Sequence, residues 1–268
     1  MRQFLIKILR KITKGIINKY NPNVVIILGE EKGRLEKEII SAVFSKANDV
    51  DSKFIKILEN NSGNEDVLLL GILGYSKKLK GQKLKSNFLF LRAIIFGFFK
   101  VVFGSANDYP KNFILSYSDN ILGDAKILHR VLKPKILIVN CENATEDIIK
   151  EDSRFLDLLS TKSNVILNFD DNIAMSLRDK TRANILTYGF SDGADIKISK
   201  FENLLDGEKL IGISFRIEYG GSFIPVVLNN VFDKQKSLSV AVGFAAGIIN
   251  GMNLVEISEL VEKINFTL

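Results

Sequence analysis

The sequence contains very few of the residues from which disulfides and zinc sites are built. Its 268 residues include one cysteine, one histidine and no tryptophan. A single cysteine, Cys141, cannot form an intramolecular disulfide, which agrees with a reducing cytoplasm. With His129 as the sole histidine, the chain also lacks the cysteine and histidine ligands of a structural zinc site. We expect neither residue to be catalytic, because His129 lies in a helical pattern and Cys141 has no identifiable partner base.

Long hydrophobic runs are also missing. The most apolar segment, 88–103, is interrupted by Arg92 and Lys100. Its unbroken run, 93–99, is far below the roughly 20 residues that a membrane-spanning helix needs. We interpret this segment as a core helix, with contact to a membrane as the alternative.

Residues 1–20 have the pattern of a cationic amphipathic helix, because apolar residues recur at helical spacing with basic residues between them. We expect this helix to pack on its own domain; the alternative is that it lies on anionic lipid. The net charge is +6. Because the lysines are distributed along the chain, nucleic acid is not an expected partner.

From residue 23 to about 188, apolar runs of strand length alternate with helical patterns. Such alternation predicts a mainly parallel sheet with helices on its faces. The candidate strands are 24–28, 67–70, 113–117, 136–139, 165–168 and 185–188. The candidate helices are 35–44, 125–132, 146–159 and 173–179.

After Gly193 the pattern changes. Apolar residues now alternate with polar ones around 196–198, 213–217 and 223–228, with turn pairs between them, which predicts a short antiparallel ribbon. Two helices, at about 237–250 and 254–264, close the chain. The predicted fold class is therefore α/β, with a mainly parallel sheet flanked by helices and a ribbon in the C-terminal third. We expect residues 21–268 to form a single domain.

Several short stretches, in the same order, resemble the central nucleotide-binding domain of the Mur ligases. They are the strand and helix around Gly29, the run Asn168-Phe169-Asp170-Asp171 at a strand end, and the stretches at 188–195, 212–215 and 251–254. The likeness is greatest to the branch that adds a D-alanyl-D-alanine dipeptide to the cell-wall precursor.

This resemblance implies a P-loop NTPase-like fold and a reaction in which ATP and Mg activate a carboxylate as an acyl phosphate before an amine attacks it. Family members usually carry separate domains for the nucleotide-sugar substrate and for the amine. Beyond 21–268 we expect no C-terminal amine-binding domain in this chain.

The phosphate-binding loop departs from the family pattern Gly-x-x-Gly-Lys-Thr-Thr/Ser, in which the lysine reaches the phosphates and a hydroxyl holds Mg. From Gly29 onward this chain reads Gly-Glu-Glu-Lys-Gly-Arg-Leu, so Lys32 and Gly33 are transposed. Arg34 and Leu35 stand at the hydroxyl positions. The two glutamates either repel a triphosphate or cap the N-terminus of the next helix, and we favour the capping role.

The metal positions depart as well. Ser116 stands where the resemblance implies a Mg-binding glutamate, and a neutral hydroxyl is a poor ligand for this hard cation. The histidine that assists the second metal falls at Thr145, and the family's carbamylated lysine falls near Asp152. The sequence therefore predicts no metal site, with one rebuilt from Glu142, Asp152 and Asp171 as the alternative.

One nucleotide-binding element is retained. Asn168 and Asp171 match residues that, in the family, contact the adenosine part of the nucleotide, although Asp171 is also placed to cap a helix. The later histidine motif of the family reads Asp-Lys-Gln-Lys at 233–236, and Ser239 stands where the family has an asparagine. The resemblance implies ATP or ADP with Mg as the ligand, and the departures predict weak binding or none. The candidate cofactor-binding residues, as remnants of a nucleotide site, are Gly29, Lys32, Gly33, Asn168 and Asp171.

These departures together favour a pseudoenzyme, a non-catalytic binding or assembly module related to peptidoglycan synthesis. We expect it in the cytoplasm or at the inner face of the membrane, with a cell-wall enzyme as its partner. One alternative is an ATP-dependent acid–amino-acid ligase that works with domains on another chain. The other is a peripheral membrane protein held by residues 1–20 and 88–103.

Overall fold

The computed structural model describes residues 2–28, 34–47, 55–60, 65–74, 87–105, 109–117, 131–140, 149 and 153–264. Within these residues nine strands form one sheet, in the order β2-β3-β1-β4-β5-β6-β7-β8-β9. The strands are β1 (Asn23–Leu28), β2 (Ile55–Asn60), β3 (Asn112–Tyr117), β4 (Ile136–Val139), β5 (Asn164–Asn168), β6 (Asn184–Gly189), β7 (Ile196–Asp206), β8 (Lys209–Tyr219) and β9 (Ser222–Asn229). The helices are α1 (Arg2–Tyr20), α2 (Arg34–Ala47), α3 (Glu65–Leu73), α4 (Asn87–Phe103), α5 (Asn172–Ser176), α6 (Gln235–Ile249) and α7 (Leu254–Val261).

Strands β1 to β7 pair in parallel, and helices cover both faces of this part of the sheet. Strand β4 is buried throughout, and β1 and β5 are buried except at their ends, as expected for Val/Ile/Leu runs between two helical layers. One core joins alternate strand residues to α1, α3 and α4, and the other joins the remaining strand residues to α2, α6 and α7. The predicted fold class is therefore confirmed.

The prediction of a strand at 67–70 is wrong, because these residues lie in α3. A run of four apolar residues has no periodicity that separates a strand from a buried helix. Here Glu65 and Asp66 stand in the first turn, where carboxylates favour a helix N-terminus, and residues 68–73 are all buried. Strand β3 pairs with β1 on one side and with β2 on the other, and the lysine and glutamate of β2 interrupt the apolar pattern there.

The antiparallel ribbon β7-β8-β9 continues the main sheet, because the start of β7 pairs in parallel with the end of β6. Its two turns fall where the sequence predicts them. Gly207, Gly220 and Gly221 adopt positive φ angles there, a conformation that glycine adopts without steric cost.

The remaining helix predictions differ mainly at their ends. The predicted helix 173–179 is the shorter α5 followed by a 3-10 turn at Arg178–Lys180. Most of 125–132 and much of 146–159 lie outside the described residues.

Segment 88–103 is a helix, α4, but it is not a core helix on all sides. Leu89, Phe90 and Ala93 are buried, whereas the opposite side of the helix exposes large apolar residues. The apolar composition predicted complete burial, and within the described residues the packing partners of α4 lie on one side only. None of the described helices is both long enough and apolar enough to span a membrane.

Candidate functional site

The carboxyl ends of the parallel strands meet at one edge of the sheet. The chain leaves β1 toward β2 and β3, and it leaves β4 toward β5, so the connections diverge between β1 and β4. In open α/β sheets ligands bind at such a switch point. The loops after β1 and β4 lie outside the described residues, and so do Gly29, Lys32, Gly33 and the alternative metal ligands Glu142 and Asp152.

The turn between β5 and α5 carries the two described candidates, Asn168 and Asp171. The Asn168 side-chain oxygen accepts a hydrogen bond from the backbone N–H of Asp170 at 3.0 Å. The Asp171 carboxylate accepts from the backbone N–H groups of Ile173 at 2.8 Å and Ala174 at 3.2 Å. These bonds make Asn168 a turn-forming residue and Asp171 the N-cap of α5.

Asp170 ties this turn to the segment that follows β6. One carboxylate oxygen accepts from the backbone N–H of Phe190 at 2.6 Å, and the other accepts from that of Ser191 at 3.0 Å. The carboxylate lies so close to β6 that a Cβ atom on Gly189 would come within 2.7 Å of Oδ2. Position 189 therefore needs glycine, because any side chain there would collide with the Asp170 carboxylate.

A second set of contacts holds the segment after β6 in place. The Asp195 carboxylate accepts from the Thr187 backbone N–H at 2.8 Å and from its hydroxyl at 2.7 Å. The Asp195 backbone N–H in turn donates to the Thr187 hydroxyl oxygen at 3.0 Å. Between these ends, the Phe169 ring packs against Gly193, where an added Cβ would lie 2.3 Å from the ring. These contacts hold the β5–α5 turn and residues 189–195 together.

A cation–aromatic cluster borders these two segments and was not found from the sequence. The Lys234 ammonium lies 4.0 Å from the centroid of the Phe190 ring and 5.7 Å from that of Phe201. The two rings meet edge to face at 6.3 Å. In the sequence Lys234 is only one residue of a motif that does not match the family. No local signal reveals the cluster, because its members lie on separate elements.

The start of α2 contacts α6 through a carboxylate. Glu36, in the first turn of α2, accepts a hydrogen bond from the Ser239 hydroxyl at 2.6 Å. A negative charge in the first turn of a helix is favourable. At the end of β3, the position implied for a Mg-binding glutamate holds Ser116, which pairs with Ile27 of β1.

These residue types fit a Mg-triphosphate poorly. The described part of the chain places a carboxylate at the start of α2 and a hydroxyl at the end of β3. Phosphates instead need donor or cationic groups, and a Mg ion needs a carboxylate. Across the described residues, no three His, Cys, Asp or Glu side chains lie together as a metal site would require.

The resolved pKa shifts lie away from this edge or on its rim. The exposed Asp192 carboxylate is 2.7 Å from the Lys197 ammonium. Its hydrogen bond to Lys197 lowers the pKa of Asp192, and the same bond raises the pKa of Lys197. In the α1 layer, burial raises the pKa of Tyr109, whose hydroxyl donates to the Ile72 carbonyl at 3.1 Å.

Neither a protein-family model nor a curated protein sequence matches the chain. Solved structures do match it. The D-alanyl-D-alanyl ligase from Acinetobacter baumannii superposes with a TM-score of 0.65 at 12% identity, over 96% of this chain and 49% of that one. The chain has the fold of the Mur ligase central domain.

Two further structures support this assignment. The MurF ligase from Thermotoga maritima, solved in complex with ADP, has a TM-score of 0.59 at 15% identity and covers 93% of this chain and 51% of its own. Folylpolyglutamate synthetase from Lactobacillus casei has a TM-score of 0.56 at 12% identity, over 95% of this chain and 66% of its own. At this identity the likeness shows the fold alone. The chain spans about half the length of the Acinetobacter and Thermotoga ligases.

Proposed function

We propose that this Mur-ligase-fold chain is a non-catalytic module of cell-wall synthesis, which acts as a binding or assembly partner of a cell-wall enzyme on the cytoplasmic side of the membrane. The observation that carries the proposal concerns the turn at 168–171, the one motif that matches the family's nucleotide-binding pattern. Asn168, Asp170 and Asp171 direct their side chains to backbone groups of the fold itself. These hydrogen bonds stabilise the fold, so the turn has a structural role that requires no nucleotide.

The charge at the neighbouring positions supports the same conclusion. Glu36 brings a carboxylate to the first turn of α2 and is bound by Ser239. The sequence adds Glu30 and Glu31 just ahead of this helix. Each carboxylate within about 4 Å of a phosphate costs on the order of 4 kcal/mol at an effective dielectric of about 20. One such contact offsets most of a millimolar affinity, which corresponds to about 4 kcal/mol.

Calorimetric titration with ATP and ADP, with and without Mg, tests the proposal. We expect no binding at millimolar nucleotide that Mg strengthens. The Thermotoga ligase, which binds ADP in its structure, serves as the positive control in the same buffer. Binding that Mg tightens at least tenfold would show that displaced residues have rebuilt the site, and the proposal would then be abandoned.

The second candidate is an ATP-dependent acid–amino-acid ligase that needs domains on another chain. The observation that favours it is Asp171. Only its Oδ1 atom caps α5, so the described contacts leave Oδ2 available to a ligand. This function requires Mg-dependent ATP hydrolysis that is stimulated by a cell-wall partner enzyme and lost in Asp171→Asn. Because asparagine also caps helices well, that variant should keep its fold.

The assembly role is tested separately by analytical ultracentrifugation of the chain with purified cell-wall ligases. A complex that forms without nucleotide supports the proposed module. If no complex forms without nucleotide and one of the ligases instead stimulates Mg-dependent ATP hydrolysis, the second candidate replaces it.

A further inference from the structure

The outer side of α4 is the largest concentration of exposed apolar residues in the described part of the chain. Among all described residues, fifteen large apolar side chains are exposed, and eight of these fifteen lie on α4. Five of the eight recur at alternating spacings of three and four, so they form one stripe along the helix. The eight residues are Phe88, Leu91, Ile95, Phe96, Phe98, Phe99, Val102 and Phe103. Exposed patches of this kind mark interaction surfaces.

Helix α1 lies beside α4 and runs in the same direction. Arg2 stacks on Phe90 near the start of both helices. Further along, a Cβ on Gly97 would come within 2.7 Å of Ile12, and the Tyr20 hydroxyl donates to the Lys100 carbonyl at 2.8 Å. Both helices bury their inner sides in the same core, on one face of the sheet. Their outer sides therefore face the same way.

The outer side of α1 adds positive charge to this surface. Lys7, Lys11 and Lys14 are exposed and share one side of the helix with the exposed Phe4. The other two basic residues near its start, Arg2 and Arg10, are paired with Asp66 and Glu65 of α3. Neither α1 nor α4 contains an aspartate or a glutamate. In the sequence, residues 75–86 directly before α4 contain five lysines and no acidic residue.

We propose that this surface, the α1–α4 face, docks on an anionic membrane. It is defined by Phe4, Lys7, Lys11 and Lys14 of α1 together with the eight exposed apolar residues of α4. Apolar side chains beside lysines, without acidic residues, suit the boundary between acyl chains and negatively charged headgroups. A symmetric pair of chains would instead bring two positive surfaces together, which disfavours a second copy as the occupant.

The first experiment is flotation of the full chain with vesicles of phosphatidylcholine that do or do not contain phosphatidylglycerol. We expect binding only to the anionic vesicles, and we expect salt to weaken it. Phe98→Ser/Phe99→Ser removes two rings that are 56% and 55% exposed and should reduce the affinity about 30-fold. Its matched control is Phe223→Ser, because Phe223 is 59% exposed on β9. This control should bind like the unchanged chain.

The second experiment tests the charge. Lys7→Gln/Lys11→Gln/Lys14→Gln should weaken binding about 100-fold at low salt, since each basic residue near an anionic surface contributes about fivefold. The control Lys162→Gln/Lys180→Gln/Lys209→Gln removes the same net charge from exposed positions elsewhere in the chain. We expect this control to bind anionic vesicles with less than a tenfold loss.

Three results would overturn the proposal. The first is no binding to anionic vesicles, and the second is binding that ignores lipid charge or survives Phe98→Ser/Phe99→Ser. The third is a concentration-dependent dimer, seen by ultracentrifugation, that this double variant abolishes while vesicles have no effect. None of these measurements involves nucleotide or a cell-wall enzyme, so the proposed function and the docking surface are tested independently.

Discussion

Replacing Asp170 with asparagine separates the structural role of the β5–α5 turn from any role in nucleotide binding. The carboxylate accepts two backbone N–H groups, at 2.6 Å from Phe190 and at 3.0 Å from Ser191, one on each oxygen. Asparagine keeps one acceptor and turns an amide NH2 toward the other N–H. One hydrogen bond to a charged group is lost, which is worth about 1.5 to 3 kcal/mol. Because Asp170 is exposed, water replaces part of it, and we expect a loss of about 1.5 kcal/mol.

Thermal unfolding followed by circular dichroism measures this loss. For a domain of this size, 1 kcal/mol shifts Tm by about 2 to 4 °C, so Asp170→Asn should unfold about 3 to 6 °C below the unchanged chain. The control is Asp192→Asn, which also removes a carboxylate from this segment. Asp192 is exposed and pairs only with Lys197 among the described contacts, so its loss should leave Tm unchanged within error.

A specific outcome would refute this account of Asp170. If Asp170→Asn leaves Tm unchanged and instead abolishes binding of ATP or ADP, then the carboxylate serves a ligand and the turn is a working nucleotide element. Equal Tm losses in the two variants would mean that removal of negative charge, and not the two hydrogen bonds, sets the effect.

Three further variants probe other contacts. Gly193→Ala places a Cβ 2.3 Å from the Phe169 ring and should cost about 1 to 2 kcal/mol in urea unfolding; a neutral result would mean that the ring moves aside freely. Tyr109→Phe should remove part of the stability loss above pH 10. Burial raises the pKa of Tyr109, so the tyrosine ionises first in the unfolded chain, and its contribution is complete below pH 10 and falls above it; identical pH profiles for the two proteins would contradict this. Ser239→Ala should cost about 1.5 kcal/mol by removing the hydroxyl that donates to Glu36 at 2.6 Å, and an unchanged urea midpoint would show that water replaces it.

The fold could be predicted from the sequence where burial leaves a continuous signal. Strands β1, β4 and β5 lie between two helical layers, so every buried position of these strands is apolar and the run is visible in the sequence. The same signal failed at 67–70, because α3 is buried all round and shows no period. It missed β2, which lies at the edge of the sheet and carries charged residues.

The candidate site was predictable in its residue types and not in its contacts. The serines at motif positions 116 and 239 can be read directly from the sequence. The capping role of Asp171 follows from its place before a helix. The bonds from Asp170 to Phe190 and Ser191 join residues about twenty positions apart. The cluster of Lys234 with Phe190 and Phe201 joins residues still further apart.

The sequence by itself determined the fold class, the order of most elements and the chemical types of the candidate site residues, because local periodicity and residue identity carry these properties. Only the tertiary structure decided which groups those side chains bind, and that α4 has a packing partner on one side and an open apolar stripe on the other. The physical reason is that burial and hydrogen bonding depend on what packs against a residue, and for Asp170, Lys234 and α4 those partners come from distant parts of the chain.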